Sequence, residues 1–275
     1  MRSKVRREHL EELARAVLRL ERAGLAGKYS NLAGGGFDRA IYALPKPLKR
    51  RVNRSIEKSV AYCIRFIVRP ASQTKPRRPR RKVGLLLAGI GGGISGALGV
   101  TGIFLELPVI TTLILQTIAE TALYYGEDLT KLEGRLACVE VLALGARPAA
   151  NPARTGYFST RAKLARLAGN SSYFFLERGV SSASASVVNR LFTEAAGRLG
   201  FALSERLAVG TLPVVGAAAG GVVSIMLLRH FQNIATAHFT VRKLERMYGV
   251  DIIRRHYLDM HEIQKARRKA FFRFL

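Results

Sequence analysis

The stretch Val83–Leu105, VGLLLAGIGGGISGALGVTGIFL, decides how this chain is read. It runs for 23 residues without a charge. That length suffices for a transmembrane helix, which needs about 20 apolar residues to cross a hydrocarbon core of ~30 Å. Eight of its positions are glycine, however, and each glycine inside a helix in water costs about 1 kcal/mol relative to alanine. A helix here needs close packing or lipid to stabilise it. The spacings Gly89/Gly93 and Gly92/Gly96 allow two helix backbones to approach closely. A second uncharged stretch, Leu207–Leu228 (LAVGTLPVVGAAAGGVVSIMLL), repeats the pattern with Gly216/Gly220. Three readings follow: a buried glycine-rich helical hairpin, a pair of spanning helices, or a phosphate-binding loop. The third is the weakest. Gly89-Ile-Gly91-Gly92-Gly93 lacks the Gly-Lys-Ser/Thr ending, and no clear strand precedes it.

Outward from these stretches the charge rises. The 275 residues carry a net +26, yet 48% are hydrophobic and the mean hydropathy is +0.09. Residues 1–82 hold 23 basic and 6 acidic side chains, residues 83–228 hold 11 and 9, and residues 229–275 hold 11 and 4. Basic ends therefore flank a nearly neutral apolar middle, which excludes a chain disordered throughout. Two cysteines, Cys63 and Cys138, exclude a disulfide framework and a four-cysteine zinc site, and suggest a reducing, intracellular setting. Glu8, Glu11 and Glu12 stand where a signal peptide would place an apolar core.

Helical periodicity covers most of the rest. Leu10, Leu13, Val17 and Leu20 mark an amphipathic helix over 5–25, and Val52, Ile56, Val60 and Ile64 mark another over 48–69. Residues 70–82 read as an exposed linker. Pro108 suits the first turn of a new helix ending at Gly126. Further helices are expected over 132–144, 160–168, 186–208 and from Pro213 to Tyr248, with a basic helical tail after Gly249. No sustained alternation supports a sheet. The expected fold is all-α, a multi-helix bundle with a glycine-rich apolar helical hairpin at its core. It divides into a basic N-terminal region (1–82), a helical domain (83–260) and a basic tail (261–275).

Several clusters resemble the EcsC family. They are Glu106-Leu-Pro-Val-Ile-Thr-Thr112, Gly126-Glu-Asp-Leu129, Arg135-Leu-Ala-Cys-Val-Glu140 and Leu144-Gly145 in the first half. In the second half they are Ser172-Tyr173, Leu212-Pro-Val-Val-Gly216, His230-Phe-Gln232, His238-Phe239, Arg242-Lys-Leu-Glu-Arg246 and Tyr248-Gly249. The blocks keep the family's order over about residues 50–260. The resemblance implies a bacterial protein whose founding relative is encoded beside an ABC-type exporter, with no established activity and no agreed catalytic residues. An ABC transporter component is the partner it implies.

For chemistry, the sequence offers Glu106, Glu127, Asp128 and His238 as candidate catalytic groups, and Glu106, His230 and His238 as candidate metal ligands. Helical spacing places Glu106, Glu120 and Glu127 toward one face, and His230, His238 and Glu245 toward another. No His-Glu-x-x-His or Glu-x-x-His motif supports a metal, and no cofactor is indicated. The plainer expectation is that these carboxylates pair with Arg135, Arg178, Arg242 or Arg246, because a buried carboxylate needs a partner and arginine offers a bidentate one. Cys138 reads as a small core residue, with a Cys138–His238 nucleophile pair as the sharper alternative.

The basic run is the strongest physical signal. Lys75, Arg77, Arg78, Arg80, Arg81 and Lys82 abut the first apolar stretch. Juxtamembrane cations contribute about 1 kcal/mol each at an anionic bilayer. Nucleic-acid binding through the basic N-terminal region is a further alternative, disfavoured because no recognition motif and no basic face interleaved with aromatics is present. The expectation is a protein of the cytoplasmic membrane, spanning or peripheral, acting as an accessory to transport or secretion. A metal-dependent or Cys/His hydrolase is the alternative.

Overall fold

The computed structural model describes residues 5–21, 78–145, 156–162 and 213–273. They form six helices, α1 Arg7–Leu20, α2 Arg81–Ala97, α3 Gly99–Tyr124, α4 Leu132–Gly145, α5 Pro213–Tyr248 and α6 Val250–Arg273. Residues 157–162 add a short helical segment. No strand occurs among the described residues, so the chain is all-α. The helices expected over 48–69 and 186–208 lie outside the described residues, as do Lys75 and Arg77.

Helix α5 is the axis of the bundle. It packs most extensively on α2, then on α1 and α3, and touches α4 and α6. The pairing of α2 with α5 follows from the small residues of both uncharged stretches. A Cβ added at Gly92 would stand 2.6 Å from the Gly220 carbonyl oxygen and 2.7 Å from Ser224 Oγ, and one added at Gly221 would stand 2.9 Å from the Gly89 oxygen. The two backbones approach more closely than any larger side chain permits, which is the small-residue packing that offsets the poor helix propensity of glycine.

Three boundaries differ from expectation. The apolar stretch 83–105 is not one helix, because Leu98 separates α2 from α3. Pro108 does not open a helix but lies inside α3. Proline removes one rung of the hydrogen-bond ladder. The helix continues because Ile110, Ile114, Leu115, Ile118 and Ala122 beyond it are anchored in the core, and Thr112 Oγ1 donates to the Pro108 carbonyl at 2.8 Å. The linker also ends early, since Arg81 and Lys82 form the first turn of α2. At the other end α6 runs through position 261 without a break. Gly126 (φ 81°) and Gly249 (φ 94°) stop α3 and α5 in a conformation that suits glycine.

No described helix is long and apolar enough to cross a membrane. Helix α1 lays Leu13, Ala16, Val17 and Leu20 into the core against α5. His9 Nδ1 and the Tyr248 hydroxyl meet at 2.8 Å, and the Tyr257 hydroxyl donates to Glu21 Oε1 at 2.7 Å, fastening α1 to α5 and α6.

Candidate functional site

Helix α2 has two unlike faces. Ala88, Gly92, Ser95 and Gly96 are buried. Val83, Leu86, Leu87, Ile90 and Ile94, with Leu98 just beyond, are 49–63% exposed. At 100° per residue these side chains share an arc of about 120°. Glycines confine the helix's packing to one side, so its large side chains have nowhere to go but outward. Scattered exposed leucines need no explanation, but a continuous stripe does. Immediately before it stand Arg78, Arg80, Arg81 and Lys82. Arg80 N–H donates to Glu120 Oε2 at 3.1 Å, tying the start of α2 to α3.

Beneath α2, the buried Glu106 of α3 accepts hydrogen bonds from Ser95 Oγ and from Ser224 Oγ, the latter at 2.5 Å. One carboxylate thus joins α2, α3 and α5 at the glycine crossing. Neither serine was singled out by the sequence reading. Each stands one turn from a contacting glycine, at a position where only a small side chain fits.

A second polar layer lies between α4, α5 and segment 157–162. Glu127 accepts from Arg242 Nε at 2.8 Å and from Arg242 Nη2 at 3.1 Å, the bidentate geometry expected of arginine, and also from Arg246. Burial alone would raise its pKa, but the two guanidinium groups outweigh burial and hold the carboxyl below its ordinary range. Arg242 Nη2 also reaches Glu133 at 3.2 Å.

Deeper in this layer Arg161, Tyr157, His238 and Glu140 form a ring. Arg161 Nη1 lies 2.7 Å from Glu245 Oε1 and 3.3 Å from the Tyr157 oxygen. Arginine can only donate. The Tyr157 oxygen therefore accepts from Arg161, and its own proton goes to His238 Nδ1 at 3.1 Å. That assigns the remaining proton to Nε2, which faces Glu140 Oε2 at 3.3 Å. The last contact lacks hydrogen-bond geometry, and neither atom has a hydrogen-bond partner among the described residues. Arg161 Nε closes the ring at 3.5 Å from Glu140 Oε2. Burial, reinforced by Arg161 and Arg242, holds His238 well below its usual range and so neutral. Burial also raises Glu140, with Arg161 and Arg242 opposing it.

The candidate catalytic and metal residues are thus distributed, not gathered. Glu106 lies at the glycine crossing. Glu127 lies beyond the end of α3, so it does not continue the helical face of Glu106 and Glu120. Asp128 is exposed and held low by Thr130, whose hydroxyl and backbone N–H both donate to it. His230 Nε2 meets the Gly145 carbonyl at 3.0 Å, at the end of α4. His238 sits in the ring. Among the described residues no three His, Cys, Asp or Glu side chains come together as a metal-holding group.

Cys138 is fully buried, with its thiol 3.5 Å from the Gly134 carbonyl. Burial, with Glu127 adding to it, pushes the thiol's pKa far up, which disfavours the thiolate that a Cys138–His238 pair would need. Of the arginines expected to pair with the carboxylates, Arg242 and Arg246 do so. The central partner, Arg161, was not foreseen, because nothing near it in the sequence marks a carboxylate 21 or 84 positions away.

Residues 7–244 match the family model described as the EcsC protein family, so the likeness extends through α1 as well as the glycine-rich helices. No curated protein and no solved structure matches the chain.

Proposed function

We propose that this chain, which belongs to the EcsC protein family, is a peripheral membrane-binding protein that meets an anionic bilayer through α2. The observation that carries this reading is the exposed stripe Val83, Leu86, Leu87, Ile90, Ile94 and Leu98 directly behind Arg78, Arg80, Arg81 and Lys82. A half-exposed aliphatic side chain moved out of water contributes roughly 1 kcal/mol, and each cation near anionic lipid about as much. Together they exceed the weak, reversible binding of a single acyl anchor. The helix lies in the interface instead of crossing it, because its opposite face is occupied by α5. Attached in this way, the protein serves as an accessory to a membrane transport or secretion system, the setting the family resemblance implies.

Flotation of the full chain with phosphatidylcholine vesicles, with and without phosphatidylglycerol, tests the proposal. Binding is expected to the anionic vesicles and to weaken as salt rises. The double variant L86E/I90E changes only exposed positions and should keep the far-UV circular dichroism while losing flotation. Wild-type protein left unbound by anionic vesicles at low salt overturns the reading.

A further inference from the structure

Between α1 and α5 lies an open cleft of about 160 Å³ lined by Arg15, Arg19, Glu12, Tyr125, Thr236 and Thr240. Arg15 and Arg19 are one helical turn apart and both exposed. No carboxylate among the described residues pairs with either. The single acidic lining residue, Glu12, is engaged by Lys243 at 3.8 Å. A third guanidinium arrives from another element: Arg81, the first residue of α2, donates through Nη2 to Thr236 Oγ1 in the wall of the cleft. The Thr236 and Thr240 hydroxyls donate back to the carbonyls of Gln232 and Thr236 at 2.7 Å, so their protons are committed and the donors left for a ligand in the cleft are guanidinium groups. Gln232 Nε2 in turn donates to the Arg81 carbonyl at 3.3 Å, so the start of α2 is held to α5 at two points.

From this geometry we infer that the cleft is a binding site for a phosphate group. Among the described residues its charge is positive and uncompensated, and guanidinium forks match phosphate oxygens. Its volume corresponds to about five waters, which admits a phosphate group. The inference deepens the membrane reading and rests on it for the source of the phosphate. Arg81 reaches the cleft-lining Thr236 from the start of α2, and two positions later α2 begins the outward stripe with Val83. A lipid headgroup phosphate held by Arg15 and Arg19 is thereby linked, through Thr236 and Arg81, to the helix that meets the acyl chains. A protonatable phosphate monoester, doubly charged near neutral pH, fits two free arginines better than a singly charged diester.

Calorimetric titration of the full chain with three soluble probes tests this: inorganic phosphate, dihexanoyl phosphatidic acid and dihexanoyl phosphatidylcholine. Phosphatidic acid is expected to bind more tightly than inorganic phosphate, with phosphatidylcholine weakest. In R15Q/R19Q the affinity for phosphatidic acid should fall at least about tenfold, about 1.4 kcal/mol, with circular dichroism unchanged. Phosphate and phosphatidic acid binding equally, both lost in R15Q/R19Q, support the site but assign it to a free anion. Absence of binding by either, or binding indifferent to R15Q/R19Q, overturns the inference. Failure of the membrane reading is separable from both: L86E/I90E should lose vesicle flotation yet still bind the soluble probes.

Discussion

Replacing Arg161 by methionine should destabilise this protein more than any surface substitution. The Arg161 side chain is 18% exposed, and its partners Glu140 and Glu245 are 17% and 6% exposed. Methionine keeps much of the side-chain volume and the contacts with the Tyr157 and Phe158 rings, over which the guanidinium lies at 5.3 and 5.9 Å. It removes the cation that faces both carboxylates and the donor that orders the Tyr157 hydroxyl. Breaking a buried pair by deleting one partner costs about 3–5 kcal/mol, mostly the penalty of leaving a charge unpaired. For a chain of this size each kcal/mol lowers Tm by about 2–4 °C, so R161M should melt roughly 6–20 °C below the parent. Urea unfolding followed by far-UV circular dichroism at pH 7 reads the difference directly. Because the penalty comes from the stranded carboxylates, R161M/E245Q should regain part of the loss. A loss below about 1 kcal/mol in R161M would refute the ring as a stabilising element. A double variant no better than R161M would refute the stranded-charge explanation.

Three further outcomes are expected. His238 stays neutral in the folded state below its ordinary value of 6.5, whereas the unfolded chain takes up a proton there. Stability should therefore fall as pH drops below about 6.5, by up to about 1.4 kcal/mol per pH unit. Glu140, shifted upward, acts with the opposite sign just above its ordinary 4.5, so H238Q should remove the loss near pH 6 and a denaturant series across pH checks it. Gly91 has open space where a Cβ would go, whereas Gly92 has the Gly220 carbonyl. Gly91→Ala should thus raise stability by about 1 kcal/mol through helix propensity, and Gly92→Ala should lower it by about 1–3 kcal/mol through forced separation of α2 from α5; equal effects at the two positions would contradict the crossing. Glu127→Gln should leave Arg242 and Arg246 facing each other with only the exposed Glu133 beside Arg242 and cost about 2–3 kcal/mol, measurable as a shift in the urea midpoint.

Much of the fold is legible in the sequence because its signals are local. The stops at Gly126, Gly145 and Gly249, the start at Pro213 and the apolar faces of α1 and α5 depend on a few neighbouring residues, and the helices follow them. Pro108 misled because the rule for proline is also local, while the continuity of α3 depends on core contacts on both sides. The pairing of Glu127 with Arg242 and Arg246 could be expected as a class, since buried carboxylates need cations. The Arg161 ring could not, because its members come from α4, α5 and segment 157–162.

The glycine-rich stretch alone determined that two helices could touch along small residues, because glycine spacing sets how near two backbones can come. It left open whether the remaining faces met protein or lipid. Only the tertiary structure decided that α5 takes the glycine face of α2 and leaves Leu86, Ile90 and Ile94 outside. The physical reason is that periodicity fixes which side chains share a face, whereas the partner of each face depends on elements distant in the chain. The +26 of charge follows the same division. Its placement at the ends is written in the sequence, but the meeting of Arg15 and Arg19 with Thr236, the residue that Arg81 bonds, exists only once α1 and α2 dock on α5.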